Sequence, residues 1–435
     1  MGARETALNV LIACRKEEGW SNGVLKSYIR RDRLDRREAA LASYLCYGVI
    51  QNRMLLDHYL KQLLTGKLRD LHPVVRDILH LGLYQLKKMD KIPDSAAVNE
   101  SVSLTKKYCP KQRNAAGLVN GVLRNALRTE LTEPKGWAEL YSHPQNLIDL
   151  LKPYVGGKRM EKMLIANNSI APTVIQVNTL KITKDSLAQK LQEEGVEAKS
   201  HSWMEDCLVL SSTGALEELE SFKQGLFYVQ DSAAKLSVLC AELKGDQRVL
   251  DSCAAPGGKS FAAAIAMEGK GSITSCDIHE HKLELIGKSA QRLGFDHITP
   301  CLQDGAAFRE EWVDAMDAVI ADVPCSGYGI IRKKPDIRYK DPKTMAELPQ
   351  LQLAILRNQA RYVKPGGVLL YSTCTLVQAE NEGVVEAFLA ENPDYKLEPL
   401  PLPDVFPKNE TGMLLLVPGE YDTDGFFISH LRRIK

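Results

Sequence analysis

No two of the ten cysteines stand as a C-x-x-C pair, which removes the zinc-ribbon and dithiol redox motifs. Nor do they bunch as a disulfide framework would, so free thiols and a cytoplasmic location are expected. No uninterrupted apolar stretch is long enough to span a bilayer, and no apolar leader follows Met1, so no membrane partner is expected. Internal repeats and low-complexity tracts are missing too. A bulk excess of one charge is also absent, the formal net charge being +1.

That balance hides an uneven distribution. Residues 1–130 hold 23 Lys and Arg against 13 Asp and Glu, while the remainder holds 33 against 42. A basic first third on an acidic remainder suggests an anionic partner met mainly by that third, without separating RNA from DNA or a lipid surface. Its densest part is the run from Arg30 to Arg37, which taken alone reads as a solvated helix face.

At 435 residues the chain can hold two or three domains. Apolar residues recur at helical spacing in Ala7, Leu8, Leu11 and Ile12, and again from Val74 to Leu86. Asp94 or Ser95 is expected to cap a helix from Ala96 to Lys107, and Gly117 to interrupt the next. Residues 1–140 are therefore read as an all-α bundle. Residues 141–224 are read as linker helices and a small α+β unit, with strands at Val174–Asn178 and Cys207–Leu210. From 225 to 435 strands alternate with helices, predicting a mostly parallel, doubly wound Rossmann-like α/β sheet. The expected strands are Arg248–Asp251, Ser272–Asp277, Ile298–Leu302, Asp317–Asp322, Gly367–Ser372 and Met413–Val417.

Ligands in such sheets bind beyond the carboxyl ends of the strands. Asp251 ends the first strand, and Gly257-Gly258 opens the helix after it, where glycines let backbone amides approach a ligand. Neither G-x-G-x-x-G nor a Walker loop is present, so phosphate binding is not the favoured use. Asp277 and Asp304 follow the next two strands, placed to accept hydrogen bonds from ribose hydroxyls and an adenine amino group. A single Asp after a strand is ordinarily a turn or cap. Three in register suit S-adenosylmethionine.

Two thiols complete the pattern. Cys325 follows Asp322-Val-Pro and Cys374 follows Tyr371-Ser-Thr, each just past an apolar run. Neighbouring strands would turn both toward one pocket. A thiolate is a soft nucleophile, and adding it to C6 of a pyrimidine makes C5 enamine-like, able to take a methyl from a sulfonium. For cytosine, a protonated Asp322 donating to N3 would assist, provided burial raises its pKa. A Cys325–Cys374 disulfide or metal pair lacks further His or Cys at ligand spacing, and no metal is expected. Cys14, Cys46, Cys240 and Cys276 are read as small core hydrophobes, and Cys253 as packing or loop backbone.

The stretches Cys253-Ala-Ala-Pro-Gly-Gly-Lys259, Asp322-Val-Pro-Cys-Ser-Gly327 and Ser372-Thr-Cys-Thr375 together resemble the RNA 5-methylcytosine methyltransferases of the Sun/Nop family. Gln230-Asp231, Arg332-Lys-Lys-Pro-Asp336 and Asp424-Gly-Phe-Phe427 match as well. Ala97-Val-Asn-Glu100 and Val119 to Arg124 resemble the antitermination factor NusB. The combination resembles the bacterial 16S ribosomal RNA methyltransferases and spans nearly the whole chain. It implies a class I methyltransferase core, a ferredoxin-like small unit and a NusB-like RNA-docking bundle acting on 16S ribosomal RNA; a monomer is expected. It also implies that Cys374 is the nucleophile and Cys325 assists release of the methylated RNA. By the same resemblance Cys253, Ala254, Ala255, Pro256, Gly257, Gly258, Lys259, Asp277, Asp304 and Asp322 line the S-adenosylmethionine site. The chain departs from the pattern at Gln176, where the family has Arg, at Ser260 for Thr, and at Ser232-Ala233 for Glu-Ala. The first touches an expected RNA contact.

Lys333, Lys334 and Arg338 are candidates for holding the RNA backbone near Cys325. Rival readings are a tRNA-directed enzyme of the same chemistry and an RNA-binding assembly factor with an inactive core.

Overall fold

The computed structural model describes residues 1–17, 21–211 and 214–435. The chain forms two compact units, the first from residues 1–150, 164–169 and 331–340, the second from 151–163, 170–330 and 341–435.

The first unit includes the helices α1 (Ala3–Glu17), α2 (Ser21–Asp32), α3 (Arg36–Leu63), α4 (Pro73–Lys88), α5 (Asp94–Tyr108) and α6 (Ala115–Arg128). Leucines at helical spacing meet at its centre, with Leu8, Leu45, Leu56, Ile78, Leu79 and Leu123 buried. The Arg30–Arg37 run is the α2–α3 turn, where Asp35 caps α3 by accepting from Glu38 N. Two expectations fail locally. Helix α5 starts at Asp94 behind Pro93, with no side-chain cap from Asp94 or Ser95. Helix α6 runs straight through Gly117, because its apolar face continues from Ala115 to Val119 and Val122.

Ten residues from distant sequence, 331–340, belong to this helical unit. Arg338 is fully buried there and donates to the backbone oxygens of Pro335, Gln51, Tyr141, Ser142 and Asn167 and to Asn168 Oδ1. Ser21 Oγ donates to Asp336, Tyr339 OH donates to Ile50 O, and the Arg53 guanidinium lies 3.8 Å from the Tyr339 ring centroid. Arg338 is thus no candidate for the RNA backbone. A guanidinium closed in by acceptors holds protein, and no face of it meets solvent. Lys334 is exposed and Lys333 half-buried on the same segment.

The second unit carries two sheets. A four-stranded antiparallel sheet, β1 (Thr173–Val177), β2 (Glu197–Ser200), β3 (Cys207–Ser211) and β4 (Phe227–Val229), has order β2-β3-β1-β4. Helix Lys184–Glu193 covers it through Leu187 and Leu191. Gln176 on β1 is buried and donates to Gln230 O at 3.0 Å, so this position packs inside the unit and offers no RNA contact.

The larger sheet comprises β5 (Arg248–Asp251), β6 (Ser272–Asp277), β7 (Ile298–Leu302), β8 (Met316–Asp322), β9 (Val363–Thr373), β10 (Tyr395–Leu397), β11 (Met413–Leu416) and β12 (Phe426–Arg433). Its order is β10-β12-β9-β8-β5-β6-β7, with β11 also paired to β12. The strands from β7 to β9 are parallel, as alternation with helices predicts. The addition of β10, β11 and β12 is antiparallel. No described helix is long and apolar enough to cross a membrane.

Candidate active site

Four parallel strands end side by side, and each delivers an acidic group or a thiol turn. Asp251 ends β5, Asp277 ends β6, Asp304 follows β7, and Asp322 ends β8. Parallel pairing of β8 with β9 sets Asp322 opposite Ser372, two residues before Cys374. The arrangement is the one expected from the sequence.

The loop after β5 is built for close approach. Gly257 has φ +109°, and a Cβ there would lie 2.5 Å from the Phe261 ring. A Cβ on Gly258 would come within 3.0 Å of Gln230 Nε2. Ala254 N donates to Cys276 O at 2.7 Å, laying the loop across β6, and the Ala255–Pro256 bond is cis. Helix Gly258–Ala266 then points its N-terminal amides at the loop. Asp231 caps the helix from Ser232 and also accepts from Asp424 N, tying Gln230-Asp231 to the strand that begins at Phe426.

Asp251 is fully buried. Ser260 Oγ donates to its Oδ2 at 2.7 Å, while its Oδ1 has no protein partner. Burial raises its pKa to about 7. The hydroxyl at position 260 is what this contact needs, so Ser in place of Thr keeps it. Asp277 is nearly buried, accepts from His279 N at 3.0 Å and lies 3.4 Å from Lys282 Nζ. Asp304 is exposed, and its loop is pinned at Gly305 O by Asn358 Nδ2 and Gln359 Nε2. An unpartnered buried carboxyl oxygen, a cradle that rejects a Cβ and two further carboxylates fit a nucleoside with a charged tail.

Lys259 is 8% exposed, with Nζ 2.6 Å from Asp322 Oδ2 and 5.0 Å from the Phe426 ring centroid. Ser372 Oγ donates to Asp322 Oδ1 at 2.8 Å. Both Asp322 oxygens therefore accept from protein donors, and the side chain is 30% exposed.

Cys325 Sγ and Cys374 Sγ stand 3.2 Å apart, both partly exposed. The hydrogen bond to Cys374, burial and the Glu380 and Asp322 charges push the Cys325 thiol well above its ordinary range. Of the structural cysteines, Cys46, Cys240 and Cys276 are buried, while Cys14 packs at the edge of the helical core and Cys253 at the edge of the sheet core. Sequence reasoning missed Asn358, Gln359, Glu380 and Asn381, whose polar side chains reach this end of the sheet from helices and a short turn.

The strand order and the glycine-lined loop define a class I methyltransferase core joined to a helical bundle and a ferredoxin-like sheet. Residues 238–432 match the 16S rRNA methyltransferase RsmB/F model, residues 1–128 the NusB family and residues 143–217 the RsmF/B-like ferredoxin-like domain. The chain is 36% identical to the probable ribosomal RNA small subunit methyltransferase B of Bacillus subtilis (strain 168), over 99% of this chain and 98% of that protein. Among solved structures, that of PH0851 aligns with a TM-score of 0.81 at 24% identity, covering 100% of this chain and 99% of the other. NSun6 from Pyrococcus horikoshii, solved with SFG, aligns with a TM-score of 0.59 at 22% identity, covering 67% and 98%. The chain belongs to the ribosomal RNA small subunit methyltransferase B family.

Proposed function

We propose that this protein methylates C5 of a cytosine in 16S ribosomal RNA, using S-adenosylmethionine and a transient bond between Cys374 and C6. The observation that carries the reading is the thiol pair at 3.2 Å beside Asp322 and the loop of Lys259. Two thiols at this place suit attack on an aromatic ring followed by release.

Bound S-adenosylmethionine supplies the methyl group as a sulfonium substituent. The Cys253–Lys259 loop would hold it with backbone amides, Asp277 with the ribose hydroxyls and Asp304 with the adenine amino group. The SFG bound to NSun6, an analogue of S-adenosylmethionine, supports that use of the fold.

Cys325, kept protonated, is placed to donate to Cys374 Sγ at 3.2 Å. The Cys374 thiolate adds to C6, and the electron pair moves onto the ring, making C5 nucleophilic. After C5 takes the methyl group, the donor sulfur keeping the bonding pair, water takes the C5 proton, that pair restores the C5–C6 double bond, and the C6–S bond breaks to return the Cys374 thiolate. Cys325 assists that last step. As an acceptor, Asp322 suits the cytosine N4 amino group, and a base out of its stack is the accessible target. The helical unit, with residues 1–140 at its centre, serves as the RNA-docking part, the ferredoxin-like unit within 141–224 follows it, and residues 225–435 carry the chemistry.

Cys374→Ala is expected to cut methyl transfer by roughly four orders of magnitude or more, as loss of other enzymatic nucleophiles does. It should also abolish the covalent adduct with RNA containing 5-fluorocytidine. Cys325→Ala should leave the protein trapped on RNA, seen as a slow-migrating species on denaturing gels. Activity retained in Cys374→Ala would show that another group attacks. Bisulfite mapping of ribosomal RNA treated with the purified protein reads the base and its position.

A further inference from the structure

Cys325 and Cys374 lie on separate turns, and a dipeptide outside both turns grips each of them. Glu380 is 3% exposed, and its Oε2 accepts from Ser326 N and from Gln352 Nε2, both at 2.9 Å. Gln352, itself fully buried, also donates to Pro324 O at 2.9 Å. The residues before and after Cys325 are thus held by one carboxylate and its partner amide. Asn381, fully buried, accepts from Thr373 Oγ1 at 2.6 Å and donates to Thr375 O at 3.1 Å. The residues before and after Cys374 are held by this one side chain. Ser326 Oγ and Thr375 Oγ1, 2.6 Å apart, join the two turns directly. Tyr371 OH donates to Glu380 O at 2.6 Å and anchors the dipeptide to β9.

We propose that Glu380 and Asn381 are positioning residues for the thiol pair, Glu380 holding the Cys325 turn and Asn381 the Cys374 turn. The two side chains act differently. Asn381 is neutral and fixes geometry alone. Glu380 brings a buried negative charge whose donors at Oε2 are neutral amides, so its field reaches Cys325 and opposes a thiolate there. That field makes the Cys325 thiol harder to ionise. The consequence for catalysis rests on the two-thiol reading above, whereas the consequence for thiol ionisation does not.

The test uses the full-length protein. In a Cys374→Ser background without RNA, iodoacetamide labelling of Cys325 is followed against pH by peptide mass mapping. Glu380→Gln is expected to lower the labelling midpoint by about one unit, about tenfold faster labelling below the midpoint. Asn381→Ala should leave that midpoint unmoved. With Cys374 intact, Asn381→Ala should slow adduct formation on 5-fluorocytidine RNA about tenfold or more, as misplacement of a reacting group does. Thr373→Val should slow it likewise, and Thr373→Ser should restore it. Should Glu380→Gln not fold, Glu380→Asp keeps the charge on a shorter arm and is expected to slow release of methylated RNA. An unmoved midpoint in Glu380→Gln, wild-type release in Glu380→Asp, or wild-type adduct formation in both Asn381→Ala and Thr373→Val would overturn the proposal. Failure of Cys374→Ala to lose activity would instead overturn the two-thiol reading and leave the labelling result standing.

Discussion

Arg338 in the helical unit and Asp251 in the catalytic unit are both fully buried, yet six oxygens surround the first while one oxygen of the second has no protein partner. Burial lowers the Arg338 pKa to about 10, still far above neutrality. Next to it His143 is held well below its ordinary pKa by burial and by the Arg338 charge. Its Nδ1 donates to Tyr141 O and its Nε2 accepts from Asn167, so the ring is neutral. Every polar atom of that guanidinium is spent on holding chain segments together. Asp251 keeps one oxygen unspent. A buried group fully paired by protein serves architecture, and one left partly unpaired at the ends of parallel strands is available to a ligand.

The largest effect that tests this contrast is on the helical unit. Arg338→Met removes the cation and leaves buried carbonyl oxygens unpaired, a loss expected to cost about 3–5 kcal/mol. Arg338→Lys keeps charge but offers three donors on one point and should recover only part of that. Urea unfolding followed by circular dichroism measures both. Wild-type stability in Arg338→Met would mean that the surrounding carbonyls find other donors, and the architectural reading of this arginine would fail.

The catalytic strands were legible because each is an apolar run stopped by Asp or by a thiol turn, and parallel pairing aligns those stops. Strand β12 was not legible, since Ser429 and His430 interrupt its apolar run and both are buried. The segment 331–340 defeated sequence reading more completely. Arg332-Lys-Lys-Pro-Asp336 and Arg338 look like a solvated basic loop, and composition cannot tell a cation in water from one enclosed by backbone oxygens. Glu380 and Asn381 were hidden likewise, polar residues at a helix start being ordinary. Arg338 and Glu380 stayed illegible because they bind partners far away in sequence, whereas Asn381 was hidden although Thr373 and Thr375 stand close by.

The other half of the contrast concerns pH. The Asp251 carboxyl titrates near 7 in the folded chain against an ordinary 3.8. A raised pKa means that the folded state holds the proton more tightly than the unfolded chain. The corresponding stability is fully present below about pH 4 and is lost as pH rises through 7. Asp251→Asn cannot ionise and keeps an oxygen for Ser260, so it should gain stability relative to wild type as pH rises from about 4 to about 7, with no further gain above that. Thermal unfolding of both proteins across that range reads the difference. A constant difference would mean that the carboxyl is not the titrating group and that its unspent oxygen carries no ionisation cost.

The smallest expected effect on stability separates buried cations from exposed ones within the helical unit. Arg30 and Arg37 are exposed at the ends of the α2–α3 turn. Reversing both, Arg30→Glu with Arg37→Glu, should leave stability within about 0.5 kcal/mol of wild type, as surface changes do. Binding to RNA should respond instead. Each lost phosphate contact reduces the slope of log K against log salt by about 0.7 for single strands, because fewer counterions are released. The weakening should be similar for RNAs of different sequence, since phosphate contacts carry no base information. Filter binding at several salt concentrations measures the slope. If the double reversal leaves it unchanged, the positive surplus of residues 1–130 does not act through this turn, and RNA docking moves to other basic residues of the same unit.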